Sequence, residues 1–268
     1  MTSLIGLAGR ANAGKTTVAE LISPNKPIPL RRYNNPWVYI VCILFGEKYD
    51  ELVLQNNLLN SEAYQWTLTI LKQLNPNIQH YIKQDFEAPD QTITCDSSWI
   101  SLGFADPLKC ICVPLSGLKY EILLGTTADA RIMREQPIKT YVNDFWHPTM
   151  SGRQLLEIVG TDIFRANNDN FWIKLAQRRI AEYHTKGMGI IFSDIRFENE
   201  ANMIRALGGK IWFICRDRKD LILTDHDYTT HVSKWKFLTF ITPIDIILLN
   251  DSTIVELCKK IHLKIADS

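Results

Sequence analysis

The sequence is poor in features that would commit it to several function classes. Lysine plus arginine (30) and aspartate plus glutamate (29) nearly cancel, for a formal charge of +1. Nothing global therefore favours a nucleic-acid polymer or an anionic membrane as partner. Cysteines number six, but only Cys110 and Cys112 are close, as C-x-C, and no histidine cluster accompanies them. They read as free, buried thiols in a reducing compartment rather than as zinc ligands. The N-terminus has no basic stretch leading into a signal-type apolar core. The longest apolar runs, such as Trp37 to Phe45, are too short to span a bilayer. No internal repeat is visible. These absences lead to the expectation of a soluble, cytoplasmic protein with neither a membrane nor a nucleic-acid partner.

What is present is an ordinary globular composition, 46% hydrophobic and 22% charged over 268 residues. That length holds one large α/β domain, or one with a helical insertion. The chain opens on Gly9-Arg10-Ala11-Asn12-Ala13-Gly14-Lys15-Thr16, which fits G-x-x-x-x-G-K-[ST]. The short apolar run Leu4 to Ala8 before it suits a buried parallel strand. Thr17 to Ile22 after it has helical spacing, with Val18, Leu21 and Ile22 expected on one face. Strand, glycine loop and helix thus follow in the order a phosphate-binding loop requires. Gly9 and Gly14 let successive N–H groups turn inward, where a helix N-terminus adds partial positive charge. In that geometry Lys15 reaches the β- and γ-phosphates of a nucleotide, and Thr16 offers its hydroxyl to Mg²⁺.

Further along, Pro24, Pro27 and Pro29 interrupt regular structure. Trp37 to Phe45 is a strand or a buried helix, which periodicity alone does not decide. Helical spacing dominates from Glu47 to Lys83, and residues 24–98 read as a mostly helical insertion free of charge runs. A strand is expected at Trp99 to Ala105, then a helix with Asp106 as N-cap and Pro107 in its first turn. A second helix should reach Leu124, and the polar stretch 125–152 reads as a mobile loop or lid. Helices follow from Gly152 to Gly160 and from near Asp169 to His184. Strands are expected at Ile190 to Asp194, Lys210 to Cys215 and Ile244 to Asn250, with helices at Glu198 to Leu207 and Thr253 to Ile261. Strands alternating with helices behind a P-loop predict a doubly wound parallel α/β sheet of the P-loop NTPase type, flanked by helices. Asp194, at the C-terminal edge of its strand, is a Walker-B-like candidate. Arg131, Arg134, Arg153, Arg165 and Arg196 supply planar cations suited to phosphate, so a phosphorylated acceptor fits this chain. No asparagine-lysine-any-aspartate motif for reading guanine is present.

The segment Gly152-Arg153-Gln154-Leu155-Leu156-Glu157-Ile158-Val159-Gly160-Thr161-Asp162-Ile163-Phe164-Arg165, with Phe171-Trp172 behind it, resembles the signature of phage-type deoxynucleoside monophosphate kinases. So do Phe104-Ala105-Asp106-Pro107-Leu108-Lys109, Ser193 to Ala201 followed by Gly208-Gly209, and Leu249-Asn250-Asp251-Ser252-Thr253-Ile254. The likeness spans residues 3–22 and about 99–261; the stretch 24–98 has no counterpart in it. His231-Val232-Ser233-Lys234 carries lysine where the family has glutamate.

The resemblance implies ATP-dependent phosphorylation of a deoxynucleoside 5′-monophosphate, with Mg²⁺ held at Thr16 and Asp194. Gly9, Ala11, Asn12, Ala13, Gly14, Lys15, Thr16, Thr17 and Arg131 would bind ATP. Lys15, Asp106, Arg134, Arg165 and Asp194 would serve catalysis. Lys109, Arg153, Arg165, Trp172, Arg196 and Glu200 would hold the acceptor. A kinase of another phosphorylated small molecule, such as phosphomevalonate, and a regulatory NTPase are the alternatives. The insertion leaves a homodimer open.

Overall fold

The computed structural model describes residues 3–23, 35–46, 58–76, 78–82, 98–138 and 150–266. In chain order its elements begin β1 (Leu4–Ala8), α1 (Lys15–Ile22), α2 (Pro36–Phe45), α3 (Glu62–Leu71) and α4 (Ile78–Tyr81). Next come β2 (Trp99–Leu102), α5 (Asp106–Ser116), α6 (Tyr120–Leu124), α7 (Ala128–Glu135) and α8 (Gly152–Glu157). A π-helical stretch, Ile158–Arg165, follows α8 directly. The chain then forms α9 (Phe171–Thr185), β3 (Gly189–Ile195), α10 (Glu198–Ala206), β4 (Lys210–Cys215), β5 (Ile246–Leu249) and α11 (Ile254–Ala266). These elements make two compact units, one of Met1–Pro27, Thr92–Phe104 and Trp172–Ser268, the other of Ile28–Gln91 and Ala105–Phe171.

The first unit is built on a five-stranded, all-parallel sheet in the order β2-β3-β1-β4-β5. This is the doubly wound parallel architecture that the strand–helix alternation predicts. Strand β1 is central and buried along its whole length, as an unbroken apolar run should be when both faces are covered. Its residues alternate between two cores. Leu4 and Ala8 face the core of Ile190, Phe192, Ile211 and Phe213, which Ile180 of α9 and Ile204 of α10 close. Ile5 and Leu7 face the core of Ile191, Trp212 and Ile214, closed by Val18 and Ala19 of α1 and Leu257 of α11. In α1 the buried positions are Val18 and Ala19, whereas Leu21, expected on the inner face, is 38% exposed. Because β1 pairs with β3 on one side and β4 on the other, the chain changes direction across the sheet at β1. The C-terminal edge of β1 is therefore the topological switch point, where sheets of this class bind ligands.

The second unit is helical among its described residues. Trp37 to Phe45 is helix rather than strand. Asn35 caps it by accepting from Trp37 N (2.9 Å) and Val38 N (3.3 Å), and Pro36 fits its first turn. Its residues Pro36 to Leu44 are all buried, which explains why no amphipathic period marks it in the sequence. Helix α2 packs on α3 and on α5, and α3 packs on the π-helical stretch. Asp106 is the first residue of α5 and not its N-cap; Ala105 takes that place, without a side-chain bond. The stretch 125–152 is not wholly a loop, since it contains α7, capped by Thr127 accepting from Ala130 N at 3.1 Å. Residues 139–149 of that expected lid, and 24–34, 47–57 and 83–97 of the expected insertion, lie outside the described residues. Helix α8 starts at a capping box between Ser151 and Gln154 and runs into the π-helical stretch.

One buried ion pair ties the first unit's helices to the approach of β5. Arg205 Nη2 donates to Asp245 Oδ2 at 2.6 Å, and the Asp245 side chain is 2% exposed. The same Asp245 oxygen accepts from Thr242 N at 2.7 Å and Thr242 Oγ1 at 2.8 Å. Removing one partner of such a pair strands the other charge. Asp245→Ala is therefore expected to lower unfolding stability by about 3 kcal/mol, measurable by urea denaturation. A loss within error would show the pair to be energetically idle.

Candidate functional site

The loop after β1 adopts the backbone that its glycines anticipate. Gly9 has φ +146° and Gly14 +100°. A Cβ on Gly9 would lie 2.2 Å from the Ile214 carbonyl oxygen, and one on Gly14 2.2 Å from Asn250 Nδ2. Neither position accepts a side chain. Between them Asn12 also has a positive φ, +62°. Lys15 begins α1 and turns back over the loop, its Nζ donating to Gly9 O and Arg10 O, both at 2.7 Å. Thr16, next in the helix, is exposed, and Thr17 half-buried.

Asp227, Arg216 and Asn250, all distant in sequence, hold this loop. Arg10 donates from Nε to Asp220 O (2.7 Å) and from Nη2 to Ile222 O (2.9 Å) and Asp227 Oδ2 (2.9 Å). Its Nη1 donates to the other Asp227 oxygen. Arg216 Nε donates to Asn12 O at 3.2 Å, and Asn250 Nδ2 donates to Ala13 O at 2.9 Å. Asn250 itself is fixed by its backbone N–H, which donates to Cys215 O at 2.8 Å. The Asn12 and Ala13 carbonyls of the loop are thus satisfied by side chains from beyond β4. The Arg10–Asp227 tie has no local sequence signal, since its partners are 217 positions apart.

Asp194 and Arg196 lie where β3 ends. Asp194 Oδ1 accepts from Phe104 N at 2.8 Å, and Arg196 Nη1 donates to Ser233 O at 3.1 Å. Both charges act on Lys15. Burial of the amine pushes the Lys15 pKa down to about 7, Arg196 adds to that, and Asp194 opposes it. Glu200 is 3% exposed, and its Oε2 accepts from Arg196 N (2.8 Å) and Phe197 N (3.1 Å). It caps α10, and Trp172 near the start of α9 is likewise buried, at 4%. Lys234 ends a short 3₁₀ turn, exposed, with Ser233 buried beside it and His231 Nδ1 2.9 Å from the Ser233 hydroxyl.

The remaining candidates belong to the second unit. Lys109 Nζ and Asp106 Oδ1 are 3.2 Å apart within one turn of α5. Arg134 Nη1 donates to Leu123 O at 3.1 Å, and Arg131 Nη1 to Thr126 O at 3.1 Å. Both arginines of α7 therefore satisfy carbonyls at or just beyond the C-terminal end of α6. Arg153 pairs with Glu135 at the surface. Arg165, the last residue of the π-helical stretch, is 7% exposed, with Nη1 donating to Asp169 O at 3.0 Å. Gly160, earlier in that stretch, packs where a Cβ would meet Leu108 at 2.5 Å.

A family model described as deoxynucleotide monophosphate kinase matches residues 112–261. A protein of Acanthamoeba polyphaga mimivirus named "Putative deoxynucleotide monophosphate kinase" is 33% identical over 174 residues, covering 61% of this chain and 81% of the relative. The chain belongs to the deoxynucleotide monophosphate kinase family. It is a kinase. The matched range takes in Arg131, Arg134, Arg153, Arg165, Asp194 and Arg196, whereas the loop Gly9–Thr16 and Asp106–Lys109 precede it. Among the described residues of this kinase, no helix is long and apolar enough to cross a membrane, and no group of three or more His, Cys, Asp or Glu is arranged to hold a metal.

The Arg10–Asp227 tie has a pH signature. The Arg10 guanidinium, by hydrogen bonding, holds the Asp227 carboxyl well below the ordinary carboxylate range, with the Thr224 N–H and hydroxyl assisting. A depressed folded pKa gives stability that is complete above the unfolded value, about 3.9, and is lost as pH falls through the folded value. Asp227→Asn should therefore lower Tm at pH 7, and the gap from wild type should narrow below about pH 4. Thermal melts across that range check this; a gap that holds constant into acid would exclude the pair as its source.

Proposed function

We propose that this kinase transfers the γ-phosphoryl group of ATP to a deoxynucleoside 5′-monophosphate, giving the diphosphate and ADP. The observation that carries the reading is the preformed loop Gly9–Thr16 at the switch point of the sheet, with Lys15 resting on two of its carbonyls. Those contacts are the kind a triphosphate replaces: the ammonium leaves neutral carbonyl oxygens for anionic phosphate oxygens. The loop's N–H groups and the start of α1 receive the same charge.

In this reaction an oxygen of the acceptor phosphate attacks the γ-phosphorus as the bond from γ-phosphorus to the β,γ-bridging oxygen breaks, and ADP departs. The attacking oxygen is already anionic, so alignment and charge neutralisation replace a general base. Lys15 serves the β- and γ-phosphates. Arg153 and Arg165 are assigned to the acceptor phosphate, where planar guanidinium groups give bidentate contact. Arg196 adds positive charge beside Lys15. Arg131 and Arg134 would have to exchange their helix-end carbonyls for phosphate if they act as lid cations. Glu200 and Trp172 are given structural parts, a helix cap and a packed wall.

The donor set at the loop suits Mg²⁺. The exposed Thr16 hydroxyl and the Asp194 carboxylate are hard oxygen donors, and Mg²⁺ takes few protein ligands when phosphates complete its shell. Bound there, the ion would neutralise charge on the phosphates. Asp194 is at the same time oriented by the Phe104 N–H.

Turnover decides the reading. Purified protein with Mg-ATP should release ADP when a deoxynucleoside monophosphate is added. Lys15→Ala should lower kcat/KM by at least about a thousandfold. Stimulation by phosphomevalonate alone, or ADP release indifferent to every acceptor, would overturn the proposal.

Lys15 also makes nucleotide binding proton-linked. With its pKa near 7 in the free protein, the amine is largely neutral at pH 8, and bound phosphate restores the charged form. ATP binding should therefore take up close to one proton at pH 8 and little at pH 6. Calorimetric titration in buffers of different ionisation enthalpy measures this. Lys15→Arg, charged at every working pH, should abolish the uptake; an uptake that survives in that variant belongs to another group.

A further inference from the structure

The stretch carrying Arg165 is held by residues from a part of the chain that the family model does not match. Residues 58–76 precede the matched range, and Arg165 lies inside it. From α3, the Trp66 ring stacks on Phe171 at 5.5 Å between centroids and 17° between planes. It also lies 5.9 Å from the Phe164 ring. Phe164 and Phe171 are themselves 4.9 Å apart and bracket the residues from Arg165 to Asn170. Just beyond α3, Gln73 meets Asn167 through two bonds: Asn167 Nδ2 donates to Gln73 Oε1 at 3.0 Å, and Gln73 Nε2 donates to Asn167 Oδ1 at 3.3 Å. The same Asn167 Nδ2 donates to Ile163 O at 2.7 Å, satisfying a carbonyl of the π-helical stretch two residues before Arg165. A π-helical turn is a poorer conformer than α and persists where packing over-determines it. Here the aromatic wedge and the amide pair supply that packing on either side of Arg165.

We propose that Trp66 and Gln73 are positioning residues for the acceptor phosphate, acting through Arg165: they hold the π-helical stretch in the one register that presents this guanidinium. This rests on the assignment of Arg165 to the acceptor given above. The bond from Arg165 Nη1 to Asp169 O fixes the cation only if the chain between Phe164 and Phe171 keeps its path, and the side chains of residues 66 and 73 set that path. The helical segment at 58–76 is then part of the acceptor machinery rather than an appended surface.

The test is steady-state kinetics of the full chain with deoxynucleoside monophosphate and Mg-ATP varied separately. Gln73→Ala, at an exposed position that folding tolerates, and Trp66→Leu should each raise the acceptor KM about three- to tenfold and leave the ATP KM unchanged. Trp66→Phe, which keeps the stack, should restore the wild-type acceptor KM. In an Arg165→Ala background neither change should raise it further, because the residue they act through is gone. Wild-type turnover with an acceptor KM indifferent to residues 66 and 73, or equal rises for both substrates, overturns the positioning role alone. Full additivity with Arg165→Ala overturns it too. Absence of turnover with any deoxynucleoside monophosphate in the wild type overturns the functional reading, and this role with it.

Discussion

The constraint on which the rest depends is the loop Gly9–Thr16, braced at Asn12 and Ala13 by side chains from outside it. Gly9, Asn12 and Gly14 sit at positive φ, which glycine and asparagine adopt cheaply, and Lys15 rests on two of the loop's carbonyls. Asp227, Arg216 and Asn250 hold the loop from outside: Arg216 and Asn250 donate to its Asn12 and Ala13 carbonyls, and Asp227 accepts from Arg10, whose guanidinium also donates to Asp220 O and Ile222 O. The parallel sheet places the three within reach, because the chain after β4 and β5 emerges at the same edge as the chain after β1.

Lys15 shows why that arrangement matters for chemistry. Burial, with Arg196 adding to it, costs the Lys15 amine part of its preference for charge, and Asp194 returns some of it. The cations of the second unit have other partners: Arg131, Arg134 and Arg165 each donate to a backbone carbonyl, and Arg153 pairs with a surface acid. Guanidinium groups hydrogen-bonded in this way keep their charge while the polypeptide dictates their direction.

Much of the first unit was legible residue by residue. The strands at Lys210–Cys215 and Gly189–Ile195 are apolar runs bounded by glycine or charge, and α10 stops where Gly208 turns with φ +78°. The second unit was harder. Helix α2 is apolar on every side because it is buried on every side, so no period separates it from a strand. Asp106 looks like a cap by type, yet Ala105 takes that place because the turn at Phe104 already brings the chain round. The polar stretch after Gly125 hides α7, whose single buried residue, Ala130, leaves almost no apolar stripe to read.

What the sequence determined by itself is local: where strands and helices begin, which loop can bend around phosphate, and which residue types carry charge that suits it. These follow from steric limits on φ and ψ, capping and apolar periodicity, which act within a few residues. Tertiary structure alone decided that Asp227 would hold Arg10, that Asn250 would brace Ala13, and that Trp66 and Gln73 would grip the turn carrying Arg165. Those pairings join residues 94 to 237 positions apart or meet through stacked rings, and no local preference encodes such a meeting. Only the packing within each unit brings their atoms to bonding distance.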